Sequence, residues 1–306
     1  MDNEFILQDR LQKIRQIISE YGEDNFYIAF SGGKDSTVLS ELVDMALPNN
    51  IIPRVYADTG IEYHLISEFV KEIKVQPHSW ELVILKPTIP IRSMLENEGY
   101  PFKSKKHAKI VSIYQRLGKT QSVKTYLGEC PTSKKTEIEP VSFQCPKILR
   151  YQFTDGFNLK VSDKCCYKLK EQPMINYSKE NKKPYAIIGV MASEGGRRMK
   201  ANCLAFSNKR LKAFQPLVPV TKEWEEWFIE KYNIKICDIY HAPYNFYRTG
   251  CKGCPFSINL QKELDTLEKF FPNERKQCEI IWKPVYDEYR RIGYRLRKEK
   301  TNEAKR

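Results

Sequence analysis

A short glycine-rich run near the amino terminus carries side chains that could bind an anion. The run Ser31-Gly-Gly-Lys-Asp-Ser36 follows a β-prone segment and precedes a stretch with helical periodicity. Two adjacent glycines allow a tight turn that points several backbone N–H groups at one spot, and the following helix adds its positive end. A lysine ammonium and nearby hydroxyls complete a site for phosphate. The candidate binding residues are Ser31, Gly32, Gly33, Lys34, Asp35, Ser36 and Thr37.

The spacing of this run distinguishes it from other phosphate-binding motifs. It fits neither the Walker loop nor the dinucleotide-binding GxGxxG motif. The alternative is an ordinary turn in which Asp35 or Ser36 caps a helix, and this would leave the two glycines and the lysine unexplained. Asp58 follows the next predicted strand, at the end where open α/β sheets place ligand groups. As an isolated feature, Asp58 could also be only a turn residue.

Four cysteines arranged as two close pairs could hold a metal centre. Cys165 and Cys166 are neighbours, and Cys251 and Cys254 form a CxxC pair much later in the chain. Four thiolates can coordinate a tetrahedral zinc ion or a four-iron cluster. Structural zinc sites usually take two CxxC pairs, whereas the sulfurs of adjacent residues point apart and span a bulkier object more easily. The pattern favours a 4Fe–4S cluster, with a zinc site and buried structural thiols as alternatives.

Two further pairs of residues are candidates for a role. Arg197 and Arg198 follow a predicted strand and offer forked donors to a phosphate or sulfate, unless they are simply solvated at the surface. Cys130 and Cys145 each precede a proline in a basic stretch, where they could form a second metal site or a redox pair. Ordinary thiols are the simpler interpretation of that pair.

The hydrophobic pattern predicts the elements that must position these residues. Strands alternate with helices, and this order implies a parallel sheet covered on both faces, because parallel strands need long crossover connections. We therefore predict an α/β fold with a doubly wound, mostly parallel sheet. The predicted strands are 25–30, 51–57, 80–85, 185–190 and 213–220, and the predicted helices are 4–21, 37–46, 63–74 and 221–232.

Length and charge limit the organisation and the partners. The 306 residues correspond to one large domain or two small ones, and 41% hydrophobic residues exclude wholesale disorder. A net charge of +13 favours phosphate-bearing partners, and the charge is concentrated in residues 101–150 and in the tail from residue 290. We predict four parts: a part with the glycine-rich phosphate loop (1–99), a basic insertion (100–160), the rest of the core with the cysteines (161–260) and a helical basic region (261–306).

Compartment and membrane attachment follow from what the sequence lacks. It contains no run of about eighteen apolar residues and no secretory pattern at Met1, so we expect a cytoplasmic protein without a membrane partner. The odd count of nine cysteines suits a reducing compartment better than a disulfide scaffold.

Several of these motifs together resemble a known superfamily. The SGGKDS run is typical of PP-loop ATP pyrophosphatases, and Ala57-Asp-Thr-Gly60 is similar to the DTG run of sulfonucleotide reductases. The Cys-Cys and CxxC order resembles the cluster motif of adenylylsulfate reductases and of dnd-type DNA phosphorothioation enzymes. The segments Gly189–Arg198 and Pro243–Pro255 extend the resemblance, which covers most of residues 20–90 and 160–260. It implies an adenine nucleotide alpha hydrolase-like fold.

The resemblance also implies a reaction. The loop would hold the β and γ phosphates of ATP as the leaving pyrophosphate while an acceptor oxygen attacks the α phosphorus. A sulfur nucleophile would then replace the adenylated oxygen, and the 4Fe–4S cluster would supply or hold sulfur or fix the pocket electrostatically. Magnesium would bridge the phosphates with help from Asp35 or Asp58. The residues assigned catalytic roles are Lys34, Asp35, Arg197 and Arg198.

Three functions remain open from the sequence. Sulfonucleotide reductases use a cysteine near the carboxyl terminus in an ECGxH-like motif; this motif is missing, and Cys278 lacks its pattern. We therefore favour an ATP-dependent sulfurtransferase acting on nucleic acid, nearest to DNA phosphorothioation, with tRNA or a metabolite as other acceptors. A sulfur-donor protein such as a cysteine desulfurase is the expected partner. The alternatives are a reductase that releases sulfite and a non-catalytic iron–sulfur subunit that binds nucleic acid.

Overall fold

The computed structural model describes residues 2–130 and 143–298. The chain divides into two compact units. We call Met1–Thr88 with Lys170–Thr249 the sheet unit, and Ile89–Leu169 with Gly250–Arg306 the cysteine unit. Part of the predicted basic insertion (131–142) and the end of the predicted basic tail (299–306) lie outside the described residues.

A six-stranded sheet organises the sheet unit. The spatial order is β3-β2-β1-β4-β6-β5, and every neighbouring pair is parallel except the edge pair β5 and β6. This confirms the predicted doubly wound, mostly parallel sheet. The strands are β1 (Phe26–Phe30), β2 (Arg54–Ala57), β3 (Leu82–Leu85), β4 (Tyr185–Ile187), β5 (Leu204–Ser207) and β6 (Arg210–Phe214).

Helices belong to both units, and their bounds follow the apolar periodicity. The first begins after Asp2, whose side chain accepts a hydrogen bond from the Glu4 amide as an N-cap. In chain order the described α-helices are α1 (Asn3–Tyr21), α2 (Lys34–Ala46), α3 (His64–Val75), α4 (Ile91–Glu98), α5 (Lys105–Leu117), α6 (Gln121–Leu127), α7 (Gln172–Glu180), α8 (Lys222–Lys231), α9 (Leu260–Phe270) and α10 (Pro272–Ile292). None of them is both long and apolar enough to cross a bilayer.

Both faces of the sheet are covered, because successive side chains of β1 point to opposite sides. Phe26 and Ile28 pack in a large cluster with α1, α2 and α8, whereas Tyr27 packs on the other face against Tyr177 of α7. All four positions of β2 are buried. Burial on both faces explains the apolar residues of β1 and of positions 55–57 in β2.

The edge of the sheet differs from the sequence prediction. We expected one strand over 213–220, but β6 ends at Phe214 and is preceded by the antiparallel strand β5. Pro216 and Pro219 lack the N–H that a continuing ladder needs, so the strand cannot extend through them. The hairpin turns at Asn208 and Lys209, which both have positive φ and match the tight turns that join antiparallel strands.

A buried histidine network joins helices of the cysteine unit. His107 on α5 has no exposed surface, and its ring nitrogens lie 3.0 Å from the Tyr126 hydroxyl and 2.6 Å from Gln152 Oε1. Burial lowers the pKa of His107 to about 4, because the charged ring cannot be solvated there. The imidazole is therefore neutral at neutral pH and acts as part of the core.

This histidine should make stability depend on pH. Its folded-state pKa lies below the ordinary value of 6.5, so the unfolded chain takes up the proton first as the pH falls. We expect His107 to cost about 3 kcal/mol of unfolding free energy between pH 7 and pH 4. Denaturant titrations should show that the unfolding free energy falls less between pH 7 and pH 4 in His107→Gln than in the wild type, with His241→Gln, which alters an exposed histidine, as the control. An equal slope in both variants would contradict the assignment.

Candidate functional site

The glycine-rich run lies at the carboxyl end of the central strand of the sheet unit. β1 ends at Phe30, the loop follows, and α2 begins at Lys34. β1 has β2 on one side and β4 on the other, so the strand order reverses around it. Open α/β sheets bind their ligands at such a switch point. The predicted strand, loop and helix are therefore present, and they lie at an edge of the sheet where ligands can bind.

The two glycines of the loop differ in how strictly their surroundings require them. Gly32 has φ +68°, and a Cβ at this position would lie 2.8 Å from Val70 Cγ2. A Cβ on Gly33 would lie 3.1 Å from the Ser31 hydroxyl and 3.2 Å from the Tyr240 hydroxyl. A side chain at Gly32 would be strained by the positive φ and would clash with α3, whereas one at Gly33 would require only small shifts of the Ser31 and Tyr240 hydroxyls.

The hydroxyls of the loop bind its own backbone. Ser36 accepts from the Ser31 amide at 3.1 Å and donates to the Gly33 carbonyl at 2.9 Å. Thr37 donates to the same carbonyl at 3.1 Å. Both hydroxyl residues are buried, so they hold the shape of the turn; their role as donors to phosphate stays a prediction.

Helix α8 brings two charged residues to the loop that the sequence analysis did not single out. Lys222 Nζ lies 3.1 Å from Asp35 Oδ1 and 3.2 Å from Glu225 Oε2, and Lys34 Nζ lies 3.5 Å from the same Glu225 oxygen. The first turn of α8 is fixed by Thr221, whose hydroxyl accepts from the Trp224 amide. We call Lys34, Asp35, Lys222 and Glu225 the loop charge cluster.

A signal for this cluster exists in the sequence. Glu225 sits next to Trp224 and three residues before Phe228, on the face of α8 that packs in the core. A glutamate on an apolar helix face is rarely buried unless it is paired. Its partner could not be read from the sequence, because the loop lies far from α8 in the chain.

The pKa of Glu225 is unusual for a glutamate. Burial raises its pKa to about 7, the negative charge of Asp35 adds to the rise, and the ammonium groups of Lys222 and Lys34 oppose it. Its side chain has no exposed surface. A carboxyl group that changes charge near neutral pH therefore lies against the candidate phosphate-binding lysine.

The other predicted residues of the nucleotide site have the following surroundings. Asp58 follows β2 at the same edge of the sheet, and its carboxylate accepts from the Gly60 amide at 3.1 Å. Arg197 and Arg198 lie in a short 3-10 helix, Gly196–Lys200; Arg198 is partly buried, and the Arg197 side chain lies outside what the structure describes. The nucleotide and anion roles of these residues stay predictions.

The second candidate site lies in the cysteine unit, which contains all four predicted ligands. Cys251 and Cys254 form a turn in which the Cys254 amide donates to the Cys251 carbonyl at 3.1 Å. Cys165 and Cys166 directly precede a π-helical turn, Tyr167–Glu171. Desolvation raises the pKa of Cys254, and the nearby Cys251 and Cys166 thiols raise it further. Each of the two cysteine pairs therefore contributes to the electrostatic environment of the Cys254 thiol.

Helix α10 fixes the CxxC turn. Gly253 has φ +61°, and a Cβ there would lie 2.7 Å from the Cys278 sulfur, so the turn rests directly on the helix. Trp282 Nε1 donates to the Lys252 carbonyl at 3.0 Å, and Lys252 pairs with Glu274 at 3.1 Å in a buried ion pair. These contacts give the turn a defined position before any ligand is considered.

The donor set suits soft metal chemistry. Four thiols from one unit match iron–sulfur or zinc ligation, since thiolates select these centres over hard cations. Among residues 2–130 and 143–298, no group of three or more ligating side chains is close enough to hold a single metal ion. The assignment of Cys165, Cys166, Cys251 and Cys254 as ligands stays a prediction.

The remaining cysteines of interest are held by local contacts. Cys130 Sγ lies 3.2 Å from Gln121 Nε2, and burial raises the pKa of Cys145 to about 11. Cys278 on α10 has no exposed surface, and burial raises its pKa to about 12. A thiol that is both buried and protonated is a poor nucleophile.

The sequence matches the phosphoadenosine phosphosulfate reductase domain over residues 25–137 and 142–257. The chain belongs to this family. The match spans the phosphate loop, the loop charge cluster and the four cysteines, so both candidate sites of this reductase-domain protein lie within the family region. No curated protein sequence matches the chain.

Three solved structures illustrate how distant its structural neighbours are. A phosphoadenylyl-sulfate reductase from Candida auris, in a phosphate complex, is 10% identical with a TM-score of 0.42 and covers 75% of this chain and 82% of its own. The U34-tRNA thiolase NcsA from Methanococcus maripaludis, with its 4Fe–4S cluster, is 16% identical with a TM-score of 0.37. The match covers 96% of this chain and 80% of the thiolase. An NH3-dependent NAD synthetase from Campylobacter jejuni is 14% identical with a TM-score of 0.39. The match covers 94% of this chain and 95% of the synthetase.

Proposed function

We propose that this member of the phosphoadenosine phosphosulfate reductase domain family is an ATP-dependent iron–sulfur sulfurtransferase. It would convert ATP to AMP and pyrophosphate to activate an acceptor, which we take to be nucleic acid, as in DNA phosphorothioation. The observation that carries the proposal is the glycine loop at the switch point of the sheet, with Lys34 and Lys222 beside it. A sulfur-donor protein such as a cysteine desulfurase would supply the sulfur.

The loop residues have the properties that binding a nucleotide triphosphate requires. Backbone N–H groups at the start of α2 and the ammonium groups of Lys34 and Lys222 offer positive charge to the phosphates. Both lysine side chains are largely buried, so their charge is screened less than at an open surface. Positive charge held in place stabilises a leaving pyrophosphate as its negative charge develops.

Magnesium is the expected companion of the nucleotide. Its preferred ligands are oxygen atoms, and the carboxylates of Asp35 and Asp58 both lie at the loop edge of the sheet. These two residues would hold the ion together with the phosphates. When bound, it would neutralise charge on the phosphate oxygens.

An iron–sulfur cluster is the cofactor that the cysteine unit fits best. Its four predicted thiol ligands would be Cys165, Cys166, Cys251 and Cys254, with the CxxC turn held in place by α10. When bound, the cluster would supply soft iron sites that hold or deliver sulfur. The chain's own part is to position the thiols.

A nucleic-acid acceptor is supported by charge. The net charge of +13 and the basic composition of residues 101–150 suit a polyanion, whose binding should weaken steeply as salt increases. Retention of DNA and RNA on the protein at increasing salt concentration, compared with release of AMP from ATP in their presence, identifies the acceptor.

Sulfonucleotide reduction is the alternative reaction, and the structure bears on it through Cys278. That reaction needs a thiol nucleophile, and Cys278 is wholly buried with a pKa raised to about 12. Its sulfur instead packs under the CxxC turn at Gly253. These observations disfavour Cys278 as the attacking group and so favour the sulfurtransferase proposal.

One preparation tests the proposed function. Anaerobically purified protein should contain iron and sulfide and should exchange pyrophosphate into ATP when magnesium and an acceptor are present. Release of sulfite from a sulfonucleotide with a thiol donor would indicate the reductase instead. Nucleotide binding without any turnover, across DNA, RNA and small acceptors, would leave only the non-catalytic subunit.

A further inference from the structure

We propose that the cysteine unit binds single-stranded DNA along a basic stripe on α5 and receives one unstacked nucleotide in a cavity at the end of that stripe. The basic stripe consists of Lys105, Lys109 and Arg116. The cavity lies between α5, the end of α4 and the segment 154–164. The inference deepens the proposed function, because it rests on the acceptor being DNA and names the residues that would bind it.

The basic stripe is one face of α5. Its three residues are exposed and recur at helical spacing, whereas His107 and Val111 are buried on the opposite face. From Lys105 to Arg116 the stripe is about 16 Å long. The helix contains no aspartate or glutamate, so its own sequence does not balance this positive charge. Such a row of cations suits the regularly spaced phosphates of a nucleic-acid strand.

Helix α10 of the same unit carries basic residues in a different arrangement. Lys283 pairs with Asp287 at 2.6 Å, and Arg291 pairs with Glu288 at 2.7 Å. Pairs of opposite charge three or four residues apart leave alternating charge along a helix face. The positive face of α5 therefore distinguishes it from α10, which is also rich in basic residues.

A polar cavity begins where the stripe ends. Its volume is about 610 Å³, within the range of pockets that bind small organic ligands. Arg116 of the stripe is one of its lining residues. The aromatic residues Tyr114 and Phe157 and the amide residues Asn97 and Asn158 line it as well. The stripe and the cavity are therefore continuous.

Hydrogen bonds hold the far wall of the cavity in place. Gln115 on α5 donates to the Leu159 carbonyl at 2.7 Å and accepts from the Val161 amide at 3.1 Å. The Tyr100 amide, which follows α4, donates to the Lys160 carbonyl at 2.8 Å. Because these bonds tie the wall to its neighbours, a ligand need not first order it.

The lining suits a nucleotide better than a bare phosphate. Glu98 and Asp155 line the cavity, where they would repel a phosphate but can accept hydrogen bonds from the amino groups of a base. The Phe157 ring offers a surface on which a base can stack. A base reaches such a cavity only after it leaves the stack of a duplex, so a single strand is the expected form.

The cavity belongs to the unit that contains the predicted cluster ligands. Lys164 lines the cavity and pairs with Glu98, and it directly precedes Cys165 in the chain. The proposal thus assigns the acceptor to the cysteine unit and ATP to the sheet unit.

Two labelled strands separate the contribution of the cavity from that of the stripe. Fluorescence anisotropy measures binding of the full-length protein to an oligothymidylate of about 20 nucleotides and to a deoxyribose phosphate chain of equal length without bases. The two strands carry the same charge, so only contacts to bases differ. We expect the wild type to bind the oligothymidylate at least about fivefold more tightly, because one base stacks in the cavity.

Two matched double variants test the stripe. Lys109→Gln with Arg116→Gln should weaken binding of both strands. The slope of log affinity against log salt should become shallower by about 1.4, since each contact to a single strand contributes about 0.7. Lys283→Gln with Arg291→Gln removes the same two charges from α10 and should keep the wild-type slope. An unchanged slope in the α5 variant, or an equal change in both, overturns the stripe.

Phe157→Ala tests the cavity. It should bind the base-free strand with wild-type affinity, which also shows that it is folded, and lose the preference for the oligothymidylate. Equal binding of the two strands by the wild type overturns the cavity assignment, and this comparison decides alone if Phe157→Ala does not fold. Tighter binding of an oligouridylate of the same length overturns DNA as the partner.

Pyrophosphate exchange measured on the same proteins separates this inference from the proposed function. DNA binding that none of these variants alters, with exchange intact, overturns the inference and leaves the proposed function standing. DNA binding through the stripe and cavity without any turnover of ATP would contradict the proposed function instead.

Discussion

Lys34→Ala should lose most of its affinity for ATP and with it the exchange of pyrophosphate. The ammonium group is the cation that the loop itself supplies, and a charge-assisted hydrogen bond to phosphate contributes about 2–3 kcal/mol. We therefore expect dissociation constants for ATP to rise by about 30- to 150-fold. Calorimetric titration and a pyrophosphate exchange assay measure the two effects.

The contacts of Lys34 suggest how to separate binding from folding. Its ammonium group pairs with Glu225, so its removal leaves that carboxylate with Lys222 as its ion-pair partner among the described residues. Lys235→Ala removes a lysine from the same unit whose partner is the exposed Glu72, and it should keep wild-type affinity. Unchanged ATP binding and turnover in a folded Lys34→Ala protein would show that the loop is only a structural turn.

Cys254→Ser should lose the proposed iron–sulfur cluster. A serine hydroxyl is a hard donor that stays protonated at neutral pH, whereas iron–sulfur centres are held by thiolates. We expect the iron and sulfide content to fall from about four of each per chain toward zero, together with the visible absorption. The Cys254 position is sensitive because it lies in the turn that α10 holds through Gly253 and Lys252.

A second cysteine provides the matched control for this experiment. Cys130 lies in the cysteine unit but contacts only local groups such as Gln121 in the described structure. Cys130→Ser should retain iron and sulfide at wild-type levels after the same anaerobic purification. Cluster loss in both variants, or iron retained in Cys254→Ser, would argue against the four-cysteine assignment. Tightly bound zinc in place of iron would favour the alternative centre.

The position of Cys278 bears on which reaction this member of the family catalyses. The chain belongs to the phosphoadenosine phosphosulfate reductase domain family, yet Cys278 supports the CxxC turn from within α10. Burial and a raised pKa suit a packing role, as a small apolar residue would have. A family defined by its nucleotide-binding fold can contain different chemistry, because function depends on the site and not on the fold alone.

Local sequence signals were sufficient for much of the sheet unit. The glycine pair, the β-prone run before it and the helical periodicity after it act over short distances, so the order of β1, loop and α2 could be read directly. The alternation of strands and helices then led to a parallel sheet. The predicted strand over 213–220 was wrong because apolar composition outweighed Pro216 and Pro219, which end the ladder.

Which residues form the loop charge cluster depends on how segments that lie far apart in the chain pack together. Periodicity identified α8 as amphipathic, but the face it turns toward α2 is set by the packing of Trp224 and Phe228 in the core. That packing carries Lys222 and Glu225 to the loop and raises the pKa of Glu225 through burial. The glutamate on the apolar face of α8 is visible in the sequence, but its pairing with a loop far away in the chain is not, whereas a glycine turn is a purely local feature.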